Sequence, residues 1–167
     1  MDDDTPETDA RHPADVVTAM IEDCLSRAAT WSAWDGTPVP VDDRFYTPHK
    51  AIRRITDHLI DHLAEIEARL AGAPTIPDHW HASAITTAAD LAPFTPEDLD
   101  EARSRLTRLA QLFELRLRAA SEDALDHRDG EGWSPRQIAF HLEGSLYYAD
   151  AIGFLPTRPA SSNYARM

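Results

Sequence analysis

The chain contains a single cysteine, Cys24, and a single lysine, Lys50. One thiol cannot form an intrachain disulfide, which fits a protein of a reducing compartment. Cys24 falls on the apolar face of a predicted helix, where a small, buried side chain is expected. The other fifteen basic residues are arginines.

Basic charge is scarce as well. Lys and Arg number 16 against 29 Asp and Glu, which gives a net charge of −13. Nucleic acids and anionic membrane surfaces bind clustered Lys and Arg, so this balance argues against both as partners. The sequence has no run of about eighteen apolar residues and no charged-then-apolar leader, and the expectation is a cytoplasmic protein.

Glycine is infrequent, with 6 residues, while 43% of the chain is hydrophobic. Apolar residues recur at helical spacing in four segments, and no segment alternates long enough to predict a strand. We therefore predict an all-α four-helix bundle over residues 13–152, preceded by a flexible acidic N-terminus (1–12) and followed by an irregular tail (153–167). The predicted helices cover residues 13–33, 48–71, 96–120 and 135–152.

The connection over residues 73–94 is long and contains several prolines. Loops of this length are commonly functional or packed against the domain. We expect this one to pack over one end of the bundle by burying its apolar residues, which are Ile76, Trp80, Ile85, Leu91 and Phe94.

The last predicted helix has a well-defined start in the stretch GWSPRQIAFHLEG. Ser134 is suited to cap it, Pro135 to occupy its first position, and Gln137 to complete a capping box. Trp133 and Ile138 are spaced for a hydrophobic staple. His141 follows one turn later.

Three of the eight histidines stand out by position. His58 and His62 have the H-x-x-x-H spacing, so both rings project from one face of a helix, roughly 60° to 100° from the centre of its apolar stripe. His141 lies roughly 60° from the stripe of the last helix, which runs parallel to the second helix in an up-down bundle.

Three imidazoles with an open fourth position are typical of a catalytic metal site. Imidazole suits several ions, so the pattern alone leaves Zn, Ni, Fe and Cu open. The alternative is that these are hydrogen-bonded residues at helix flanks. The remaining histidines lie at helix ends (His12, His49, His127) or in the exposed-looking DHWH loop (His79, His81).

The stretch from Trp133 to Leu142 resembles the W-[ST]-x-R-x-[IL]-x-x-H-L helix of the DinB-like superfamily, which includes mycothiol-dependent maleylpyruvate isomerases and bacillithiol transferases. The matching positions are Trp133, Ser134, Arg136, Ile138, His141 and Leu142. The resemblance implies a four-helix bundle with a divalent metal held by the motif histidine and an H-x-x-x-H pair on another helix.

Those roles fall to His141 and to His58 with His62. The chain order differs from the usual family order, in which the single histidine precedes the pair. Either the two parallel helices have exchanged roles, or the fold is kept without the metal site.

The resemblance implies a metal-dependent enzyme, a transferase or isomerase that presents a low-molecular-weight thiol such as mycothiol to a small-molecule substrate. Zinc and nickel are the favoured ions, and Glu65 or Tyr148 would orient a ligand or accept a proton. The alternative is a non-enzymatic ligand-binding or stress-response bundle without a functional metal site. The long amphipathic helices leave room for a homodimer interface.

Overall fold

The computed structural model describes residues 9–156, so the expectations for the N-terminus and the tail fall mostly outside the described residues. Within this range the protein is mostly helical, and none of its helices is long and apolar enough to cross a membrane. The elements, in order, are α1 (Pro13–Ala28), β1 (Val39–Val41), β2 (Arg44–Tyr46), α2 (Pro48–Leu70), α3 (Pro96–Ala119), α4 (Glu122–Asp126), α5 (Pro135–Leu142) and α6 (Leu146–Asp150).

The predicted helix starts are confirmed. Each of α2, α3 and α5 begins with a proline that follows a capping Thr or Ser, and the cap oxygen accepts a backbone N–H from the first turn. Thr95 with Asp98 and Ser134 with Gln137 form complete capping boxes. Local sequence therefore fixes where these three helices begin, because proline suits the first turn and the cap satisfies an otherwise unpaired donor.

The helices pack around one apolar core. α1 contacts α3, α5 and α6, while α2 contacts α3, α5 and α6. Cys24 is fully buried in this core, as expected, and burial raises the pKa of its thiol to about 12. The largest fully buried apolar side chains are Trp31, Tyr46, Phe113, Met20, Ile21, Ile55, Leu59, Ile66, Leu106 and Leu117.

Two short strands replace part of a predicted loop. β1 and β2 pair antiparallel, with Val39 opposite Tyr46, and Asp42 takes φ 54° in the turn between them. Asp tolerates this left-handed conformation because its short side chain can hydrogen-bond locally. Strands of three residues are too short to show the alternation from which a strand is predicted.

Two predicted helices differ from their observed forms. The first ends at Ala28, and residues 31–33 form a separate 3-10 turn. The last is divided into α5 and α6 by a 3-10 turn at Glu143–Ser145, although the backbone stays helical through it. This turn includes Gly144, whose low helix propensity favours such a local adjustment.

The connection between α2 and α3 (residues 71–94, which include the predicted 73–94 loop) packs along α2, but mostly not through the residues we expected. Phe94 is buried, whereas Ile76, Trp80, Ile85 and Leu91 are more than half exposed. Polar contacts hold the segment instead: Arg53 binds the carboxylate of Asp90, and Arg54 donates to Ser83. The expectation failed because apolar content alone does not reveal that buried donors on α2 need acceptors from this segment.

Candidate metal centre

The three predicted histidines meet at one point between α2 and α5. Nε2 of His58 lies 3.0 Å from Nε2 of His62 and 3.2 Å from Nε2 of His141. The three ligand atoms all lie within 4.8 Å of one another. His58 and His62 are 7% and 3% exposed, and His141 is open to solvent.

These separations fit a shared ion. Two donors at roughly 2.1 Å from an ion lie about 3.0 Å apart at a right angle and about 3.4 Å apart at the tetrahedral angle. The two Nε2–Nε2 distances of the site fall in this range. A proton on one of these Nε2 atoms can form a hydrogen bond to only one of the other two nitrogens. One cation would instead accept the lone pairs of all three.

The outer ring nitrogens of the buried pair have partners that fix their orientation. Nδ1 of His62 lies 2.9 Å from a carboxylate oxygen of Glu65, and Arg69 binds the other oxygen of the same carboxylate. A carboxylate only accepts, so Nδ1 of His62 is the donor in this contact, and the other ring nitrogen, Nε2, faces His58. Nδ1 of His58 lies 2.8 Å from the hydroxyl of Ser145. Such outer partners are typical of metal-binding histidines.

The electrostatics keep the central ring neutral. Burial, followed by the neighbouring His62, His141 and Arg54, lowers the pKa of His58 to about 3. The pKa of His141 is also lowered, first by the partial burial of its ring and then by the neighbouring His62, while the carboxylates of Asp78 and Glu65 act in the opposite direction. A metal ligand must be deprotonated, so a lowered histidine pKa favours binding near neutral pH.

A cavity of about 410 Å³ opens over the rings. Its walls are largely aromatic, and Trp133 lies closest to the site: its ring centroid is 4.5 Å from that of His141, and the ring stacks on His62 at 6.4 Å. The lining residues are His58, Asp78, Trp80, Trp133, His141, Gly144, Tyr147 and Tyr148.

Of the two residues predicted to orient a ligand, Glu65 and Tyr148, only Tyr148 lines the cavity. Glu65 faces the outer nitrogen of His62, so it orients a histidine rather than a ligand in the cavity. Tyr148 lines the cavity, with its hydroxyl 3.2 Å from Ser83 and its ring 6.4 Å from His58.

The other histidines have local roles outside the cluster. His12 caps α1, His127 pairs with Asp129, and His49 lies 3.1 Å from the carbonyl of Pro93. His79 and His81 are exposed neighbours in the 71–94 connection. The structure therefore separates these five from the three that converge.

The sequence pattern does not assign Ser145, Trp133 or Asp78 to the site. It predicts that Trp133 packs at the helix start, and Asp78 belongs to a connection without helical periodicity. Their proximity to the histidines depends on the helix-to-helix packing and on the path of the 71–94 connection. Only the position of Ser145, four residues after His141, offered a signal, since i and i+4 share a helix face.

Arg136, a residue of the resemblance motif, has a structural role here. Its guanidinium binds the carboxylates of Asp126 and Glu122 and so ties α4 to the start of α5. Comparison of the chain with protein-family models, with curated proteins and with solved structures gives no match.

Proposed function

We propose that this protein binds one divalent metal ion through His58, His62 and His141. The observation that carries the proposal is the convergence of three Nε2 atoms from two helices, with the outer nitrogens of the buried pair already engaged. Zinc and nickel are the ions we propose for this site; both accept imidazole ligands, as iron and copper also do.

We further propose that the fold is a DinB-like four-helix bundle, with α1, α2, α3 and the α5–α6 unit as its four members. The motif from Trp133 to Leu142 supports this assignment, as does the position of its histidine opposite the H-x-x-x-H pair. The histidine pair lies on the second long helix and the single histidine on the last, so the proposal takes the two helices to have exchanged their usual roles.

The chemistry we propose is transfer or isomerisation with a low-molecular-weight thiol, such as mycothiol, as co-substrate. A divalent ion in this position would lower the pKa of a coordinated thiol and so make it a better nucleophile. The chain supplies a cavity of about 410 Å³, within the usual range for small-molecule sites. Tyr148 places a hydroxyl at the cavity wall, where it can orient a ligand.

Metal analysis of protein purified without chelator tests the metal site. We expect about one equivalent of zinc or nickel in the wild type, and its loss in His62→Ala and His141→Ala with unchanged far-UV helicity. His127→Ala is the matched control, because this exposed histidine pairs with Asp129 outside the site. A wild-type protein that binds neither ion at neutral pH would overturn the proposal.

The thiol is tested separately. Loaded protein should bind mycothiol in calorimetry, whereas the His141→Ala protein should not. Binding of metal without binding of any thiol would leave the metal site in place and reject the transferase assignment.

A further inference from the structure

The 71–94 connection brings a carboxylate to the three histidines. Oδ2 of Asp78 lies 3.5 Å from Nε2 of His62, the same nitrogen that faces His58. Asp78 is the only residue of 71–80 that is not exposed, and it lines the cavity over the site. The loop thus exposes every side chain around Asp78 and turns this one toward the rings.

We propose that Asp78 is a fourth protein ligand to the ion at this site. The inference rests on the proposed metal site and extends it from three donors to four. Carboxylate oxygen is an ordinary zinc ligand, with bonds of about 2.0–2.2 Å. Its present separation from His62 is close to the roughly 3.4 Å expected between two donors at the tetrahedral angle.

To bind the same ion as the three histidines, the carboxylate of Asp78 must move a short distance toward their Nε2 atoms. Among residues 9–156, the three histidines alone have ligand atoms that all lie within 4.8 Å of one another, and the Asp78 carboxylate lies beside His62 at the edge of this cluster. A cation there attracts the carboxylate. Coordination by Asp78 would therefore add a restraint on the 71–79 part of the connection.

A tether next to Asp78 already holds the loop near the site. The backbone N–H of His79 donates to Oδ2 of Asp61 on α2, at 2.9 Å. Asp61 lies one residue before His62, so the same turn of α2 anchors the loop and carries a ligand. The tether limits how far Asp78 can move from the ion.

The test compares wild type, Asp78→Asn and Asp129→Asn, each loaded with Co²⁺. Asp129→Asn removes the same charge from another exposed loop, where the carboxylate pairs with His127. We expect Asp78→Asn to weaken Co²⁺ binding at least about tenfold in competition with a chelating dye and to change the visible absorption of the bound Co²⁺. Asp129→Asn should match the wild type in both.

A second readout follows the loop. Co²⁺ should protect the 71–79 segment of the wild type from limited proteolysis and should not protect it in Asp78→Asn. Asp61→Ala removes the tether while keeping the carboxylate, so it should give an intermediate loss of affinity with a wild-type absorption spectrum at saturating Co²⁺.

The outcomes separate the two proposals. If wild type binds Co²⁺ and Asp78→Asn has the same affinity and spectrum, Asp78 is not a ligand and the three-histidine site stands. If wild type binds no Co²⁺, both proposals are wrong. Far-UV circular dichroism of each variant confirms that the comparison is made on folded protein.

Discussion

α2 and α3 are the two longest helices, and both begin with Thr-Pro, yet they bury different side chains. α3 buries only apolar residues, among them Leu106, Phe113 and Leu117. α2 buries a comparable apolar set and, in addition, Lys50, Arg54, Thr56, His58 and His62.

The difference arises from what covers each helix. α3 packs mainly on α1 and leaves side chains such as Leu115 in solvent. α2 is covered on a further side by the 71–94 connection and by α6. A polar residue at the flank of α3 stays hydrated, whereas one at the flank of α2 is buried and needs a partner.

The histidine cluster lies on the flank of α2 that the 71–94 connection and the α5–α6 segment cover. Arg54 donates to Ser83, Lys50 donates to Phe45 O and Thr86, and His58 meets Ser145. Each partner comes from a segment outside α2, so the histidine cluster and the other buried polar side chains of α2 lie on the same flank of the helix. The apolar face of the same helix serves the core alone.

The largest loss of stability should come from a substitution in the apolar face of α3. Phe113→Ala removes a fully buried ring from α3, and we expect a loss of about 3–5 kcal/mol in the free energy of unfolding by urea denaturation. Leu115→Ala, on the exposed face of α3, is the control and should change it little. Metal content of the folded Phe113→Ala protein should be unchanged; a loss would contradict the separation of core and site.

The next largest loss of stability should come from the 71–94 connection that covers α2. The nearly buried carboxylate of Asp90 accepts bonds from Arg53 and from the backbone of Thr87. Asp90→Ala leaves these donors without their acceptor, and we expect a loss of about 2–4 kcal/mol with faster proteolysis between residues 76 and 92. Ile76→Ser, at a position 77% exposed, should stay within about 0.5 kcal/mol. The reverse ranking would mean that apolar contacts hold the connection.

A smaller effect is expected from the partners of the histidines. Ser145→Ala and Glu65→Gln remove or weaken the bonds that orient His58 and His62, and each should weaken metal binding about 10- to 100-fold. Glu67→Gln is matched to the second variant, because Glu67 pairs with Arg116 outside the site. Chelator competition measures all three, and equal affinities would show that ring orientation does not depend on these partners.

The smallest effect is that of pH on the metal-free protein. Burial lowers the pKa of His58 to about 3 in the folded state, so the unfolded chain binds the proton more readily. Stability is therefore lost as pH falls below the unfolded value near 6.5, by about 1 kcal/mol between pH 6 and pH 5 from this group. Urea denaturation at both values, compared with His58→Gln, measures this contribution; an identical pH dependence in the variant would contradict it.

Sequence reasoning succeeded where the signal is local. The ranges predicted from helical spacing begin where α2, α3 and α5 are observed to begin, and the Ser134-Pro135 start of α5 was recognised from its capping residues. The i, i+4 spacing of His58 and His62 predicted a shared face, and the resemblance added His141 to the same site.

The rest depends on tertiary structure. Nothing in the spacing of Ser83, Asp78 or Asp90 shows that they return to the flank of α2, because a loop has no period that ties it to a helix face. The short hairpin of β1 and β2 and the 3-10 turn before α6 were missed because each involves only three-residue elements. The burial of polar side chains on α2 could not be predicted either, because the sequence does not show which segments pack on the polar flank of this helix.

The chain separation within the histidine cluster has a consequence for the order of folding. His58 and His62 are four positions apart and meet as soon as one turn of α2 forms, whereas His58 and His141 are 83 positions apart. Closing so long a loop is entropically costly and comes late in folding. The growing chain therefore holds two neighbouring rings early and gains the third only when α5 docks, so that the affinity of the proposed metal site would be a property of the assembled domain.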